Sequence, residues 1–317
     1  MKQINKQAVV LVLALLILSA CNSNSTKEYN DTPTRGEISI SVDQTFERII
    51  QGELDTFHAL YKYAKIKPNY TSESKAFQDL INDSARIIVA TRLLNDEEKK
   101  YFEGRKLTPR ITKIARDAIA FIVNNQNPDT ILNMDHISQI FSGSIKSWSE
   151  ISATNKLGEI SIVFDNQGSS TARYVKQQIT GGKDFPANCF AVDKNEQVID
   201  YVSEHTNAIG VIGVNWISDG DDPSVMSFLN KVKTLAIVAP DTSAGFGKSY
   251  KPYQAFIATN YYPYTRDVYI ISREARAGLG TGFAAFVAGD KGQRIILKSG
   301  IMPATQPVRI VGFENNN

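Results

Sequence analysis

Apolar and polar positions alternate cleanly over residues 37–42 (E-I-S-I-S-V), a pattern that predicts a first β-strand. The polar Asp43-Gln44-Thr45 follows. After it Phe46, Ile49, Ile50, Leu54, Phe57, Leu60, Tyr61 and Ala64 recur at helical spacing. A second short strand is predicted over 66–70. It ends in Thr71-Ser72-Glu73-Ser74 and leads to an amphipathic helix with Ala76, Phe77, Leu80 and Ile81 inside. A third strand, 85–90, runs into Thr91-Arg92, and the acidic run Asn95-Asp96-Glu97-Glu98 opens another helix, as the helix dipole favours. Strands that alternate with helices in this way predict a mostly parallel α/β sheet. Ligands of such sheets sit at the carboxyl ends of the strands, so the polar turns at 43–45, 71–74 and 91–92 are expected to share one edge.

Further on, 111–123 is a long apolar run interrupted by Arg116-Asp117, as expected of a strand passing between two lobes. A turn over 124–129 and a short helix over 134–141 lead to an exposed-looking Trp148. Helix 196–204 and strands 208–214 and 232–238 come next, and 240–251 is loop-like. That loop carries Gly247-Lys248-Ser249, but Thr242 stands where a phosphate-binding P-loop needs its first glycine. A rigid aromatic turn at 261–264, a strand at 268–271 and two Gly-opened helices from 278 and 292 complete the chain.

The stretch 161–179 carries the densest candidate chemistry. Ile162-Val163-Phe164 suits a buried strand, Asp165 to Thr171 is a polar turn, and apolar positions at helical spacing follow. A helix start exposes backbone N–H groups without intrahelical partners and carries partial positive charge. With Gly168, Ser169, Ser170 and Thr171 placed there, the turn can either cradle an oxyanion or simply cap its helix.

Composition narrows the classes. The 317-residue chain has room for one large or two medium domains, and its apolar and charged shares are those of a globular protein. Its formal net charge is +2, and Lys2 and Lys6 account for both charges within the first twenty residues. A neutral mature chain gives no support to nucleic-acid binding. Residues 1–20 read as a signal segment: a basic start, an apolar core over 8–18 too short for a membrane span, then Leu18-Ser19-Ala20-Cys21. The last four resemble a bacterial lipobox, which implies lipidation of Cys21 and a membrane anchor on the periplasmic or cell-surface side. Residues 21–36 read as a flexible tether. With Cys21 carrying lipid, Cys189 has no partner for a disulfide and is expected to be a buried structural thiol.

Six local patterns then agree, in order, with one family. Ile140-Phe141-Ser142-Gly143-Ser144-Ile145-Lys146-Ser147-Trp148, Gly168-Ser169-Ser170-Thr171, Ala208-Ile209-Gly210, Tyr262-Pro263-Tyr264-Thr265-Arg266, Gly292-Gln293 and Gly300-Ile301-Met302-Pro303 resemble segments of the phosphate-binding lipoproteins of bacterial ABC transporters. These belong to the type II periplasmic binding proteins. The resemblance implies an α/β fold of two lobes, each with a mixed sheet flanked by helices, and ligand in the cleft between them. Lobe 1 would be 37–118 and 215–317, and lobe 2 would be 119–214. It further implies inorganic phosphate or a related oxyanion as ligand, an ABC permease as partner, a monomer, and no cofactor, metal or catalysis. The ligand residues carried over are Thr45, Phe46, Ser72, Ser74, Thr91, Arg92, Asp165, Gly168, Ser169, Ser170 and Thr171.

Hydroxyls and helix-start N–H groups suit a dehydrated oxyanion. Arg92 and Arg173 are candidates for a planar fork on two of its oxygens. Asp43 or Asp165 could accept the proton of a monohydrogen anion. Two positions depart from the family: Asp165 and Ser170 stand where it commonly has arginine and glycine. A hydrolase is the rival of another class, but His58, His136 and His205 form no metal-ligand pair, and Gly168-Ser169-Ser170-Thr171-Ala172 is no G-x-S-x-G elbow. A sensor or adhesion lipoprotein on the same fold is a second rival.

Overall fold

The computed structural model describes residues 31–218 and 223–305. The leader and Cys21 lie outside them. The first half of the fold is built as the pattern predicts. β1 (Arg35–Asp43), β2 (Tyr63–Thr71) and β3 (Ile87–Ala90) are joined by α1 (Glu47–Leu60) and α2 (Glu73–Ile81), and α3 (Asp96–Gly104) follows. β1 lies parallel to both β2 and β3. The chain then crosses on β4 (Arg110–Asn124) and continues through β5 (Ile131–Leu132), α4 (Met134–Phe141), β6 (Ser161–Phe164), α5 (Ser170–Tyr174), β7 (Cys189–Ala191), α6 (Asn195–Glu204) and β8 (Ala208–Gly213). α7 (Pro223–Lys231), β9 (Val232–Thr234), β10 (Ala236–Val238), β11 (Ser249–Tyr250), α8 (Gln254–Ala258), β12 (Thr265–Ser272), α9 (Leu279–Ala288), α10 (Asp290–Lys298) and β13 (Met302–Pro303) complete it.

The strand order β2-β1-β3-β12-β4-β8-β6-β7 shows what β4 does. Its first part pairs antiparallel with β12, and its last residues pair antiparallel with β8. β6 is parallel to both β8 and β7, so each half has a parallel kernel and β4 stitches the two together. The two mixed sheets are thus one curled sheet of two α/β halves. Both faces are covered. On β3, Ile87 and Val89 enter the large core that runs through both halves. Ile88 and Ala90 point the other way, into a smaller core with Phe77 and Phe102. At the crossing, Phe121 of β4 meets Phe141 and Tyr264 at centroid distances of 5.5 and 5.3 Å.

Four expectations are corrected. The first helix stops at Leu60, because Ala64 is taken into β2 by its pairing with Gly36. Strand 232–238 splits at Leu235: β9 pairs with β4 and β10 with β5. The segment 240–251 is not all loop, since its end forms β11 against β10. Trp148 is fully buried, with its Nε1 donating to Asn207 O at 2.9 Å, so its polar tip is satisfied inside rather than at the surface.

Candidate functional site

β1 ends at Asp43, whose carboxylate accepts the Thr45 backbone N–H at 3.2 Å and so caps the short turn Gln44–Phe46. That cap turns Thr45 inward. Its carbonyl accepts Asn215 Nδ2 at 2.7 Å and Trp216 Nε1 at 2.9 Å, which fixes the loop against the residues after β8. Gly213 permits the approach: a Cβ there would lie 2.5 Å from Thr45 Cγ2.

From the other half, β6 delivers Asp165 and the loop to α5. Ser169 caps that helix, its Oγ accepting Ala172 N–H at 3.1 Å and lying 2.8 Å from Thr171 Oγ1. Thr171 in turn donates to Asp165 Oδ1 at 2.5 Å. The ordinary capping role is therefore present, but Ser169, Ser170 and Thr171 are all fully buried, as are Asp43, Thr45 and Asp165. The two loops meet where Thr45 Oγ1 lies 3.4 Å from Ser170 Oγ. At the rim, Ser74 donates from both its N–H and its hydroxyl to Gly168 O at 3.3 Å. Ser72 caps α2, and a Cβ on Gly168 would come within 3.0 Å of its Oγ.

The cation of this centre is Arg266 on β12, a residue that the sequence reading quoted as a family marker and not as a ligand group. It stands directly opposite Asp117 of β4 in the antiparallel register. Its Nε donates to Asp117 Oδ2 at 2.9 Å and its Nη1 to Ser170 Oγ at 2.9 Å. The Phe46 ring lies 5.4 Å from its Cζ. Neighbouring strand positions face opposite ways, so Arg116 and Asp267 pair outside while Asp117 and Arg266 pair inside. The polar interruption of an apolar run at 116–117 was the available signal.

Burial pushes all three central aspartates up from the usual carboxylate range. For Asp43, Glu73 adds to burial while Arg266 and Ser170 oppose it, and its pKa reaches about 7. Asp117 is raised by burial against the pull of Arg266, and Asp165 by burial against bonds from Ser169 and Thr171. Arg266 Nη2 lies 2.9 Å from Asp117 Oδ2, while Asp43 Oδ2 and Asp117 Oδ1 are buried without a well-directed hydrogen bond.

Two expected ligand residues are placed elsewhere. Arg92 is held by Glu98, with Nη1 and Nη2 each 2.8 Å from a carboxylate oxygen, and its Cζ stacks 3.3 Å from the Phe77 ring centre. Thr91 gives its N–H and hydroxyl to Glu73 Oε1 at 2.7 and 2.8 Å. Arg173 joins them across the halves, with Nε 2.5 Å from Glu73 Oε2 and Nη2 donating to Thr91 Oγ1 at 2.7 Å. Two of the three histidines have structural settings: His58 Nε2 accepts Ile66 N–H, and His205 stacks on Tyr201 at 3.8 Å. Cys189 is half-buried, and burial pushes its thiol up to about 12. Among the described residues no group of three His, Cys, Asp or Glu side chains could hold a metal ion.

With this geometry in hand, comparison with known proteins places the chain. The model of the PBP superfamily domain matches residues 27–291, and the chain belongs to that family. Among its relatives is the phosphate-binding protein PstS of Staphylococcus epidermidis, 24% identical over 285 residues, covering 88% of this chain and 83% of the relative. PstS of Staphylococcus saprophyticus is 25% identical over the same length, covering 88% of this chain and 84% of the relative. A Clostridium perfringens protein solved with bound phosphate shares the fold at a TM-score of 0.71 and 21% identity, covering 85% of this chain and all of that one. An ABC-type phosphate transport receptor from Vibrio cholerae gives 0.64 at 20%, covering 84% of this chain and all of the other.

Proposed function

We propose that this chain is an extracytoplasmic substrate-binding protein that captures inorganic phosphate, or a closely related oxyanion, for an ABC transporter. The observation that carries the reading is the buried meeting of Thr45, Ser169, Ser170 and Thr171 with Arg266 at the junction of the two halves. A dehydrated oxyanion needs oriented donors in a dry site, and a hydroxyl set with one arginine supplies them. The names of the relatives agree with that chemistry. Asp43, with its pKa near 7, can donate to a bare anion oxygen when protonated and accept the proton of a monohydrogen anion when charged. Arg266, rather than Arg92, takes the role of ligand-facing cation, and Ser72, Ser74 and Gly168 form the rim. Binding rather than catalysis fits the settings of Ser169 and His205, which hydrogen-bond to other groups.

In the same reading the lobes are 37–118 with 215–317, and 119–214. The protein is a monomer anchored to a membrane through lipidated Cys21, and its partner is a permease. Isothermal titration with phosphate, sulfate and molybdate tests the core of this. Heat with phosphate, and a rise in melting temperature of the mixture, is expected; ligand at about a hundredfold its dissociation constant stabilises by ~2.7 kcal/mol. No heat with any of the three would overturn it.

A further inference from the structure

The guanidinium of Arg266 is divided between two protein partners. Asp117 Oδ2 lies 2.9 Å from both Nε and Nη2, and Nη1 donates to the Ser170 hydroxyl at 2.9 Å. Ser170 has no exposed surface, and its Oγ also lies 3.4 Å from Thr45 Oγ1. So the hydroxyl oxygen stands between the arginine of one half and the threonine loop, offering a lone pair to a donor directed at the centre. An oxyanion offers the same kind of lone pair. It does so with charge, which makes its bond to a guanidinium stronger than a neutral hydroxyl's. To reach Nη1, however, the anion must turn the Ser170 hydroxyl away, which also disturbs the bond that Ser170 makes to the buried Asp43 carboxylate.

We propose that Ser170 limits the affinity of this cleft for its ligand: its hydroxyl oxygen occupies the acceptor position in front of Arg266 Nη1 and competes with an oxyanion for that donor. This rests on the oxyanion reading above and gives Ser170 a role opposite to that of a ligand donor. Removing the hydroxyl has two consequences of the same sign. It leaves Arg266 Nη1 without its acceptor in the unliganded protein, and it removes what the anion must displace.

The test is titration of inorganic phosphate into wild type, Ser170→Ala and Ser170→Gly, with far-UV melting of each protein to establish that it is folded. Ala and Gly are expected to bind phosphate about tenfold tighter than wild type. The alanine and glycine variants are read together, so a folding defect in one leaves the other informative. Phosphate binding to wild type that is equal or weaker in both variants overturns the competition and makes Ser170 a donor or a bystander, while the phosphate reading survives. Binding in Ala and Gly with none in wild type supports it in its strongest form. Absence of binding in every folded protein, repeated with sulfate and molybdate, overturns both the competition and the oxyanion reading.

Discussion

Two polar clusters lie where the halves of this protein meet, and they are built on opposite terms. At the rim, Glu73, Thr91 and Arg173 form a closed set in which both carboxylate oxygens of Glu73 accept bonds and Thr91 both donates and accepts. At the centre, Asp43 and Asp117 have no exposed surface, yet each leaves one carboxylate oxygen without a well-directed hydrogen bond. A buried polar atom without a partner costs about 1–3 kcal/mol, so a fold keeps such atoms where something else supplies the missing bond. In the function proposed above, the rim is a clasp and the centre is where the ligand is held. The contrast can be broken by substitution on either side.

The largest effect is expected from Arg266→Ala. It leaves Asp117 buried without its cation, which costs about 3–5 kcal/mol on top of any loss of binding. Chemical denaturation should show that loss, and phosphate titration should show no measurable affinity. Retained phosphate binding in a folded Arg266→Ala protein would remove the centre's claim to be the site. Arg173→Ala is the matching change at the rim. Glu73 is almost fully buried and loses its partner, but Arg173 is partly exposed and water can replace some of its contribution. A loss of ~2 kcal/mol in stability is expected, with phosphate affinity changed by less than about tenfold. If affinity falls as far as with Arg266→Ala, the clasp is part of the site and the distinction collapses.

The two arginines also mark what the sequence could and could not say. The loops carrying Thr45 and Ser169 to Thr171 were legible as polar turns between a strand and a helix, a pattern that serves an oxyanion cradle or an ordinary helix cap alike. Arg92 has the same local appearance, at the end of β3. Its destination was set by Glu98, whose carboxylate also accepts Asn95 N–H in a capping box. An arginine shortly before such a box has a partner waiting. Arg266 was hidden for the converse reason. It sits within a strand, its partner Asp117 is 149 positions away, and only the antiparallel register of β4 and β12 brings them together. Local pattern reads what a segment forms; the inside of a long-range pair is decided by pairing.

A smaller effect is expected from pH. Asp43 is raised to about 7, so the folded protein binds its proton more tightly than the unfolded chain. The stability it contributes is therefore complete below the ordinary aspartate range near 3.8 and is lost as pH rises through about 7. Binding should follow the same group. Sulfate brings no proton over this range, so an ionised Asp43 can only repel it, while Asp43→Asn stays neutral. The affinity of wild type relative to Asp43→Asn should drop by up to about tenfold per unit above pH 7. Parallel titration curves for the two proteins from pH 5 to 9 would remove Asp43 from the binding centre.

The last test asks whether an unpartnered buried atom signifies a ligand at all. Glu53 on α1 has both carboxylate oxygens buried and without a partner, and burial alone lifts its pKa to about 8. It has no arginine beside it and no hydroxyl loop facing it among the groups that shift it, so it shares the cost of the central aspartates without their company. Its raised pKa means that stability held below pH 4.5 is lost as pH rises through about 8. Replacing it by glutamine removes the ionisable group at the same size. Glu53→Gln should therefore gain stability relative to wild type as pH rises from 5 to 8, by about 3 kcal/mol across that range, and bind phosphate as wild type does. A lost affinity would show that Glu53 is coupled to the centre. An unchanged affinity with the pH-dependent gain would show that unpartnered atoms mark a ligand site only where complementary charge and donors converge on them, as they do around Arg266.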